Sequence, residues 1–346
     1  KRIKFIMAYT TINKSTDYFN TLLYTATGTQ SVTGAGFQPD MSWVKTRSAA
    51  SSHYIADSVR GATKTISPNN TNQEGTQNLF TSFDSDGVSL GSDNWSDNRT
   101  AVIWNWKAGT TGSGTTTGSG YGKAYSYSVN TTAGFSIVKY TGNGTSGQQI
   151  PHHLGVVPKM IIQKRLPTDG AGWNVYHHSL GLNYLMLQSD NASASDSGKY
   201  NANPTSTYVQ IGNDGGMNTN DAEHILYCFA EKTGYSKFGS YTGNGSTDNA
   251  FIYTGFKPTF FMTKRYSDTA RWCMWDSVRD PDNSVEKLMY ANENSAEGGT
   301  AYLDFYSNGV KILDGNSKWG ADGSNYIYMA FGQSLVGSNN VPSTAR

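Results

Sequence analysis

The sequence has very little cysteine and little charge. Cys228 and Cys273 are its only cysteines, so no disulfide framework stabilises the fold. Charged residues make up 15% of the chain and the formal net charge is +1, whereas an ordinary soluble domain is about 25% charged. With no basic run and no excess positive charge, the composition argues against a protein that binds nucleic acid through its phosphates.

Long apolar runs and helix-forming composition are also missing. No stretch of the sequence approaches the ~18 apolar residues of a membrane span, so none is predicted. Gly, Asn, Ser and Thr are abundant where Lys, Glu and Ala would favour helices, and this favours strands and turns. Aromatic residues reach 13%, which argues against disorder. The composition predicts an all-β protein of extracellular type.

Three segments of the chain share one pattern, and such repeats indicate the architecture before any other motif does. Each segment begins with Tyr-Thr, passes through a Gly-rich turn and reaches a proline that a lysine follows at a fixed spacing. The sequence DSVR at residues 57–60 recurs at 276–279, and each segment closes with an apolar strand. The prolines and lysines are Pro39, Pro158, Pro258, Lys45, Lys164 and Lys264.

The repeats predict three homologous β-sandwich domains, because short strands separated by turn residues are typical of that fold. Residues 109–128 are rich in Gly, Ser and Thr, which predicts a flexible linker. Residues 1–13 resemble a closing strand and are predicted to complete a preceding repeat. The predicted division is repeat 1 at 14–108, repeat 2 at 129–232, repeat 3 at 233–336 and a C-terminal tail at 337–346.

Catalytic and metal-binding motifs are weak in this sequence. Four of the six histidines form the pairs His152-His153 and His177-His178 in repeat 2, but neither Cys nor carboxylate recurs at ligand spacing, so turn or surface positions are predicted for them. Asp57 and Asp276 align between repeats, but the second acid that a glycosidase needs does not recur with them. DSVR is therefore interpreted as a structural turn. The prediction is a protein that is not an enzyme, with no catalytic residue, cofactor or metal.

Aromatic side chains are the best candidates for function. Sugar rings stack their C–H faces on aromatic rings, while amides and carboxylates bind the hydroxyl groups. Trp173 and Trp272 align between repeats, which favours a role in the core. Trp95, Trp275 and Trp319 are specific to single repeats and are predicted to bind a ligand.

The repeated pattern YTGNGT, the proline and Lys-Arg that follow it, DSVR and the ending NNVPSTAR resemble tandem-repeat domains in virion proteins of marine tailed bacteriophages. Such proteins are described as tail-fibre, minor structural or lectin-like proteins. The resemblance covers nearly the whole chain and implies jelly-roll or lectin-like sandwiches on the extracellular virion surface. It also implies a symmetric homo-oligomer, such as the trimer common in fibres, and no catalytic residue of the family can be carried over to this chain. Repeat 1 departs from the pattern, since it has no tryptophan where Trp173 and Trp272 lie.

The predicted function is adhesion to glycans of the host surface, by a tail fibre or a surface decoration whose several copies add avidity. One alternative is a purely structural protein that spaces or cements other virion proteins, with its aromatic residues at subunit contacts. A second alternative is an enzyme that degrades polysaccharide, which requires a cleft with paired acids. The predicted partners are host glycans and other virion proteins.

Overall fold

The computed structural model describes residues 9–336 of the chain. In this part, strands β1–β28 are accompanied only by the four-residue helix α1 (Gly215–Asn218) and two 3₁₀ turns, Ser15–Asp17 and His178–Leu180. The protein is therefore all-β. Of the closing strand predicted at residues 1–13, residues 1–8 lie outside the described part and residues 9–13 form no strand. The predicted tail at 337–346 also lies outside it.

The first unit consists of β1–β9. Its large sheet has the order β1-β9-β3-β4-β5-β6, and a small sheet of order β2-β8-β7 packs Val32 and Val88 against Val44 and Ile103 of the large one. The strands are β1 Phe19–Thr25, β2 Gln30–Thr33, β3 Met41–Thr46, β4 Tyr54–Asp57, β5 Gly61–Ile66, β6 Gly75–Thr76, β7 Phe80–Asp84, β8 Gly87–Leu90 and β9 Thr100–Trp106.

The second unit consists of β10–β20 and has a similar pair of sheets. The large sheet has the order β10-β12-β13-β20-β15-β16-β17-β18, and the small sheet has the order β11-β14-β19. The strands are β10 Thr110–Thr115, β11 Thr117–Gly118, β12 Ala124–Asn130, β13 Phe135–Thr141, β14 Gln148–Pro151, β15 Met160–Arg165, β16 Trp173–His177, β17 Asn183–Met186, β18 Ala194–Ser195, β19 Tyr208–Ile211 and β20 Glu223–Phe229.

The third unit consists of β21–β28, joined in one sheet of order β21-β28-β23-β24-β25-β26-β27-β22. Its two end strands follow one another in the chain, so the sheet curls nearly into a closed barrel. The strands are β21 Ser236–Thr242, β22 Phe251–Tyr253, β23 Lys257–Arg265, β24 Cys273–Asp276, β25 Val285–Tyr290, β26 Gly298–Tyr306, β27 Gly309–Ile312 and β28 Asn325–Gln333.

The same antiparallel strand order recurs in the three large sheets: β1-β9-β3-β4, β13-β20-β15-β16 and β21-β28-β23-β24. The apolar closing strands are thus central, and each is buried on both faces. In β9, Trp104 and Trp106 face a core shared by all three units, whereas Ile103 faces the core of the first unit alone. Strands β20 and β28 alternate in the same way. Burial of both faces explains why these strands are continuous apolar runs rather than alternating sequences.

Aromatic rings fill the centre of the shared core. The ring centroid of Trp106 lies 6.4 Å from that of Phe229 in the second unit and 5.9 Å from that of Phe331 in the third. The apolar cavity left at this centre is only about 10 Å³. The three units therefore pack as one body, which differs from the expected array of separate domains on a flexible linker.

The segment predicted to be a flexible linker is largely a β-hairpin. Strands β10 and β12 pair with each other, and β12 pairs with β13 of the second sheet. Gly112 and Gly114 lie directly opposite Tyr127 and Tyr125, and a Cβ on either glycine would come within 3 Å of the tyrosine ring. The glycines thus make room for cross-strand rings that cover them, a known way of stabilising glycine in a strand.

The repeated lysines are buried and hold backbone segments in place. The ammonium group of Lys45 donates to the carbonyl of Thr46 at 2.7 Å. Lys164 reaches the carbonyl of Thr71 in the first unit at 3.1 Å, and Lys264 donates to backbone carbonyls that include one in the second unit. Burial lowers the pKa of each lysine to about 8. Their recurrence therefore has a structural cause.

Candidate ligand-binding site

The first DSVR segment is a turn that joins two units. Asp57 accepts hydrogen bonds from the backbone N–H groups of Val59 and Arg60 at 3.1 and 2.9 Å and pairs with the Arg60 guanidinium at 2.5 Å. Its second oxygen also accepts a hydrogen bond of 2.7 Å from the hydroxyl of Tyr227 in the second unit. The interpretation of DSVR as a structural turn is confirmed, and the buried carboxylate is fully engaged.

The other two units make corresponding contacts. Asp276 pairs with Arg279 at 2.5 Å and accepts a 3.0 Å hydrogen bond from the indole N–H of Trp104 in the first unit. In the second unit His177 occupies the corresponding position, and its Nε2 donates to the carbonyl of Tyr328 in the third unit at 3.2 Å. Each unit therefore contacts the closing strand of another, and the three contacts complete a ring.

The five histidines of the second unit do not form a metal site. The prediction of turn or surface positions is wrong for His152 and His177, whose side chains are 0% exposed. Burial lowers the pKa of His177 to about 3 and that of His152 to about 4, so both rings are neutral at pH 7. His153 instead stacks on Tyr127 with 3.8 Å between ring centroids. Within residues 9–336, no three His, Cys, Asp or Glu side chains are grouped so that they could hold a metal ion.

The described residues 9–336 include no helix with the length and apolar composition of a membrane span.

Two of the three tryptophans predicted to bind a ligand are buried. Trp275 is 0% exposed and Trp319 is 1% exposed, because the curled third sheet encloses them. Their ring centroids lie 5.7 Å apart in an edge-to-face contact, and Asp314 accepts a hydrogen bond from the indole N–H of Trp319. A stacked sugar needs an open ring face, which neither residue presents, so neither is retained in the candidate site.

Trp95 is half-buried and packs against Tyr54, with 6.4 Å between ring centroids. It is the one predicted tryptophan that keeps a solvent-facing surface. The aligned pair Trp173 and Trp272 lies in the shared core. Both donate 3.0 Å hydrogen bonds from their indole N–H groups to backbone carbonyls of the neighbouring unit, so the prediction that this pair belongs to the core is confirmed.

Five aromatic side chains are strongly exposed in the described part of the chain, and four of them lie on one face of the third unit. We call these four residues the aromatic patch: Tyr9, Phe251, Tyr253 and Tyr306. Soluble proteins rarely gather exposed aromatic rings in this way unless the surface binds something. The fifth, Tyr121, lies in the loop between β11 and β12.

Strand β22 positions the centre of the aromatic patch. Ile252 is buried in the third unit's core, so its neighbours Phe251 and Tyr253 point outward and are 46% and 56% exposed. The rings of Phe251 and Tyr306 meet edge to face with 6.0 Å between centroids. Tyr9 donates a 3.1 Å hydrogen bond from its hydroxyl to the carbonyl of Gly255, which places this hydroxyl and that of Tyr253 beside the same glycine.

A polar cleft of about 310 Å³ adjoins the aromatic patch at Tyr306. We call it the patch cleft, and its polar lining includes Ser277, Asp282 and Ser307. The side chains of these three residues form no hydrogen bond or ion pair with residues 9–336, so they are available to a ligand. Lys257 also lines the cleft, and the ammonium group of Lys237 lies 5.5 Å from the ring centroid of Tyr253.

The sequence prediction missed the residues of the aromatic patch, although a signal was present. The strand pairing places Ser31 and Thr33 of the first unit where the third unit has Phe251 and Tyr253. The third unit alone therefore has aromatic residues at outward positions of this strand. A comparison restricted to tryptophan could not detect this difference.

A family model described as "Domain of unknown function (DUF7483)" matches residues 14–334. No curated protein matches the chain. The matched range includes all three units, in agreement with their common core and with the ring of contacts between them. The chain belongs to the DUF7483 family.

Proposed function

We propose that this protein lies on the surface of a phage virion, where it binds saccharides and holds the particle to glycans of the host cell. It catalyses no reaction on these glycans. The aromatic patch carries the proposal. Its exposed rings offer stacking surfaces for the C–H faces of sugars, and the adjoining patch cleft supplies hydroxyl and carboxylate groups for sugar hydroxyls.

The virion location rests on the resemblance of the repeated pattern to phage virion proteins. In this proposal the three units are homologous lectin-like β-sandwich repeats, and their common strand order supports the homology. The protein serves as a tail fibre or surface decoration in a homo-oligomer, such as a trimer, that contacts other virion proteins. Several copies on one particle raise the avidity of a weak single site by about 10²–10⁴.

The test compares the wild type with Phe251→Ala, Tyr253→Ala and Tyr306→Ala on a glycan array and on intact host cells. Tyr121→Ala is the matched control, because it also removes an exposed aromatic ring but lies outside the patch. We expect each patch substitution to weaken binding about tenfold, which corresponds to about 1.4 kcal/mol, with thermal unfolding unchanged. The control should bind as the wild type does.

Equal binding by the patch variants and the wild type would overturn the assignment of the site. Release of new reducing ends from bound polysaccharide would contradict the non-catalytic part of the proposal.

A structural role is the second candidate, and the same patch supports it. The side chain of Phe251 has no polar atom, and exposed apolar surface is typical of contacts between protein subunits. In that case the patch is covered by another copy or by another virion protein. Analytical ultracentrifugation distinguishes the two functions: a wild-type oligomer that Phe251→Ala dissociates, together with no binding to glycans, would favour the structural role.

A further inference from the structure

A second polar cleft lies where the first and second units meet. Its volume is about 290 Å³, near the lower end of the size range of ligand pockets, and its lining combines residues of β4, β5 and the segment at 67–77, which includes β6, with Asp169 of the second unit. We call it the junction cleft. Tyr54 forms one aromatic wall, and Trp95 packs against that tyrosine.

The two segments of the junction cleft are fixed to each other. Asp169 accepts a 2.7 Å hydrogen bond from the backbone N–H of Gln73, and the backbone N–H of Gly170 donates to the carbonyl of Thr71 at 3.0 Å. The backbone N–H of Glu74 donates to the carbonyl of Leu166 at 2.8 Å. The shape of the cleft is thus set by the contact between the units rather than by one free loop.

Several hydrogen-bonding groups in the junction cleft have no partner among residues 9–336. These are the hydroxyl of Tyr54, the side-chain amides of Asn72 and Gln73, and the NH₂ groups of Asn70 and Gln77. Asn70 and Gln77 use only their amide oxygens, which accept hydrogen bonds from the N–H of Asn72 and the hydroxyl of Thr65. Donors and acceptors beside an aromatic ring are the groups that recognise a sugar.

The negative charge of the junction cleft favours neutral over anionic sugars. Glu74 and Asp169 both line it, and no lysine or arginine is among the described lining residues. Arg60 pairs with Glu74 at 3.1 Å, but its side chain is only 1% exposed. An anionic sugar would therefore meet the carboxylate of Asp169, which repels it and which no lysine or arginine of the lining neutralises. The patch cleft differs, since Lys257 lines it.

We propose that the junction cleft is a second saccharide-binding site, specific for neutral sugars, formed by Tyr54, Asn70, Asn72, Gln73 and Gln77. This site goes beyond the proposed function of the aromatic patch and stands independently of it. Trp95 belongs to this second site, where it supports the ring of Tyr54.

Isothermal titration with the full chain tests this proposal, with neutral gluco-, galacto- and manno-oligosaccharides and with uronic-acid oligosaccharides as ligands. The cleft variants are Tyr54→Ala and the double substitution Asn72→Ala with Gln73→Ala. Asn191→Ala is the matched control, because Asn191 is exposed and its side chain has no hydrogen-bond partner within residues 9–336. The patch variant Tyr306→Ala separates the two sites.

We expect at least one neutral oligosaccharide to bind the wild type, Asn191→Ala and Tyr306→Ala equally and to bind both cleft variants about tenfold more weakly. Uronic-acid oligosaccharides should not compete with it. The proposal is overturned if no neutral oligosaccharide binds, if the cleft variants bind as the wild type does, or if uronic acids compete at this site. Loss of binding in Tyr306→Ala alone would instead place the only saccharide site in the aromatic patch.

Discussion

Asp276 shows how much one buried side chain contributes to the contact between units. Its carboxylate pairs with the guanidinium of Arg279 and accepts a hydrogen bond from the indole N–H of Trp104 in the first unit. Asp276→Asn removes the negative charge. The carboxylate of Glu297, 3.0 Å from the Arg279 guanidinium, is then the only carboxylate paired with this buried group. We expect this substitution to lower the free energy of unfolding by about 3–5 kcal/mol, as for other broken buried pairs, measured by urea denaturation.

Asp268→Asn is the control for that measurement. Asp268 also pairs with an arginine three positions away in sequence, but its side chain is 61% exposed. Exposed pairs contribute little to stability, so this variant should unfold within about 0.5 kcal/mol of the wild type. A similar small loss in Asp276→Asn would show that the contact between units is not stabilising.

Buried histidines predict that acid destabilises the protein. Burial lowers the pKa of His53, His177 and His224 to about 3 and that of His152 to about 4, whereas the unfolded chain titrates near 6.5. Above pH 6.5 these histidines are neutral in both states and have no effect. Below it the unfolded state binds protons first, so the free energy of unfolding falls by up to about 1.4 kcal/mol per pH unit for each histidine.

Urea denaturation at pH 7, 6 and 5 measures this dependence. His177→Gln should reduce the slope, because glutamine can donate to the carbonyl of Tyr328 but does not titrate. A free energy of unfolding that is constant from pH 7 to 5 would contradict the prediction.

At the scale of strands, the hairpin of β10 and β12 is the element most unlike its prediction. Strand β12 is hydrogen-bonded on both edges, to β10 and to β13, so its amides should exchange slowly. Hydrogen exchange with mass spectrometry should find residues 124–130 protected to a similar degree as β13. Exchange at the rate of an unstructured peptide would instead support a flexible linker.

The strands could be predicted from the sequence more readily than the site. The repeated Tyr-Thr, Pro and Lys residues recur because the fold requires them in each unit, as the buried ammonium group of Lys164 illustrates. Their recurrence therefore indicates corresponding strands. Gly-rich composition could not separate a hairpin from a linker, because the deciding contact of Gly112 with Tyr127 is between strands. Tryptophan identity could not separate Trp319 in the core from an exposed ring, since burial depends on how the third sheet curls.

At the scale of the whole molecule, the shared core predicts cooperative unfolding. Trp106 contacts aromatic rings of the second and third units, so no unit can expose its side of the core alone. We expect a single transition in calorimetry, and Trp106→Ala should lower the free energy of unfolding by about 3–5 kcal/mol while keeping one transition. Tyr121→Ala, at an exposed position, is the control, and separate transitions for the units would contradict the prediction.

The ring of contacts between units is closed within one chain, and this affects how the surface can vary. In an assembly of three identical subunits, any substitution is present three times, so each surface feature is tripled. Here the units are covalently joined, and Phe251 and Tyr253 have Ser31 and Thr33 as their counterparts in the first unit. Residues 9–336 thus combine a core built from three units with a single aromatic patch.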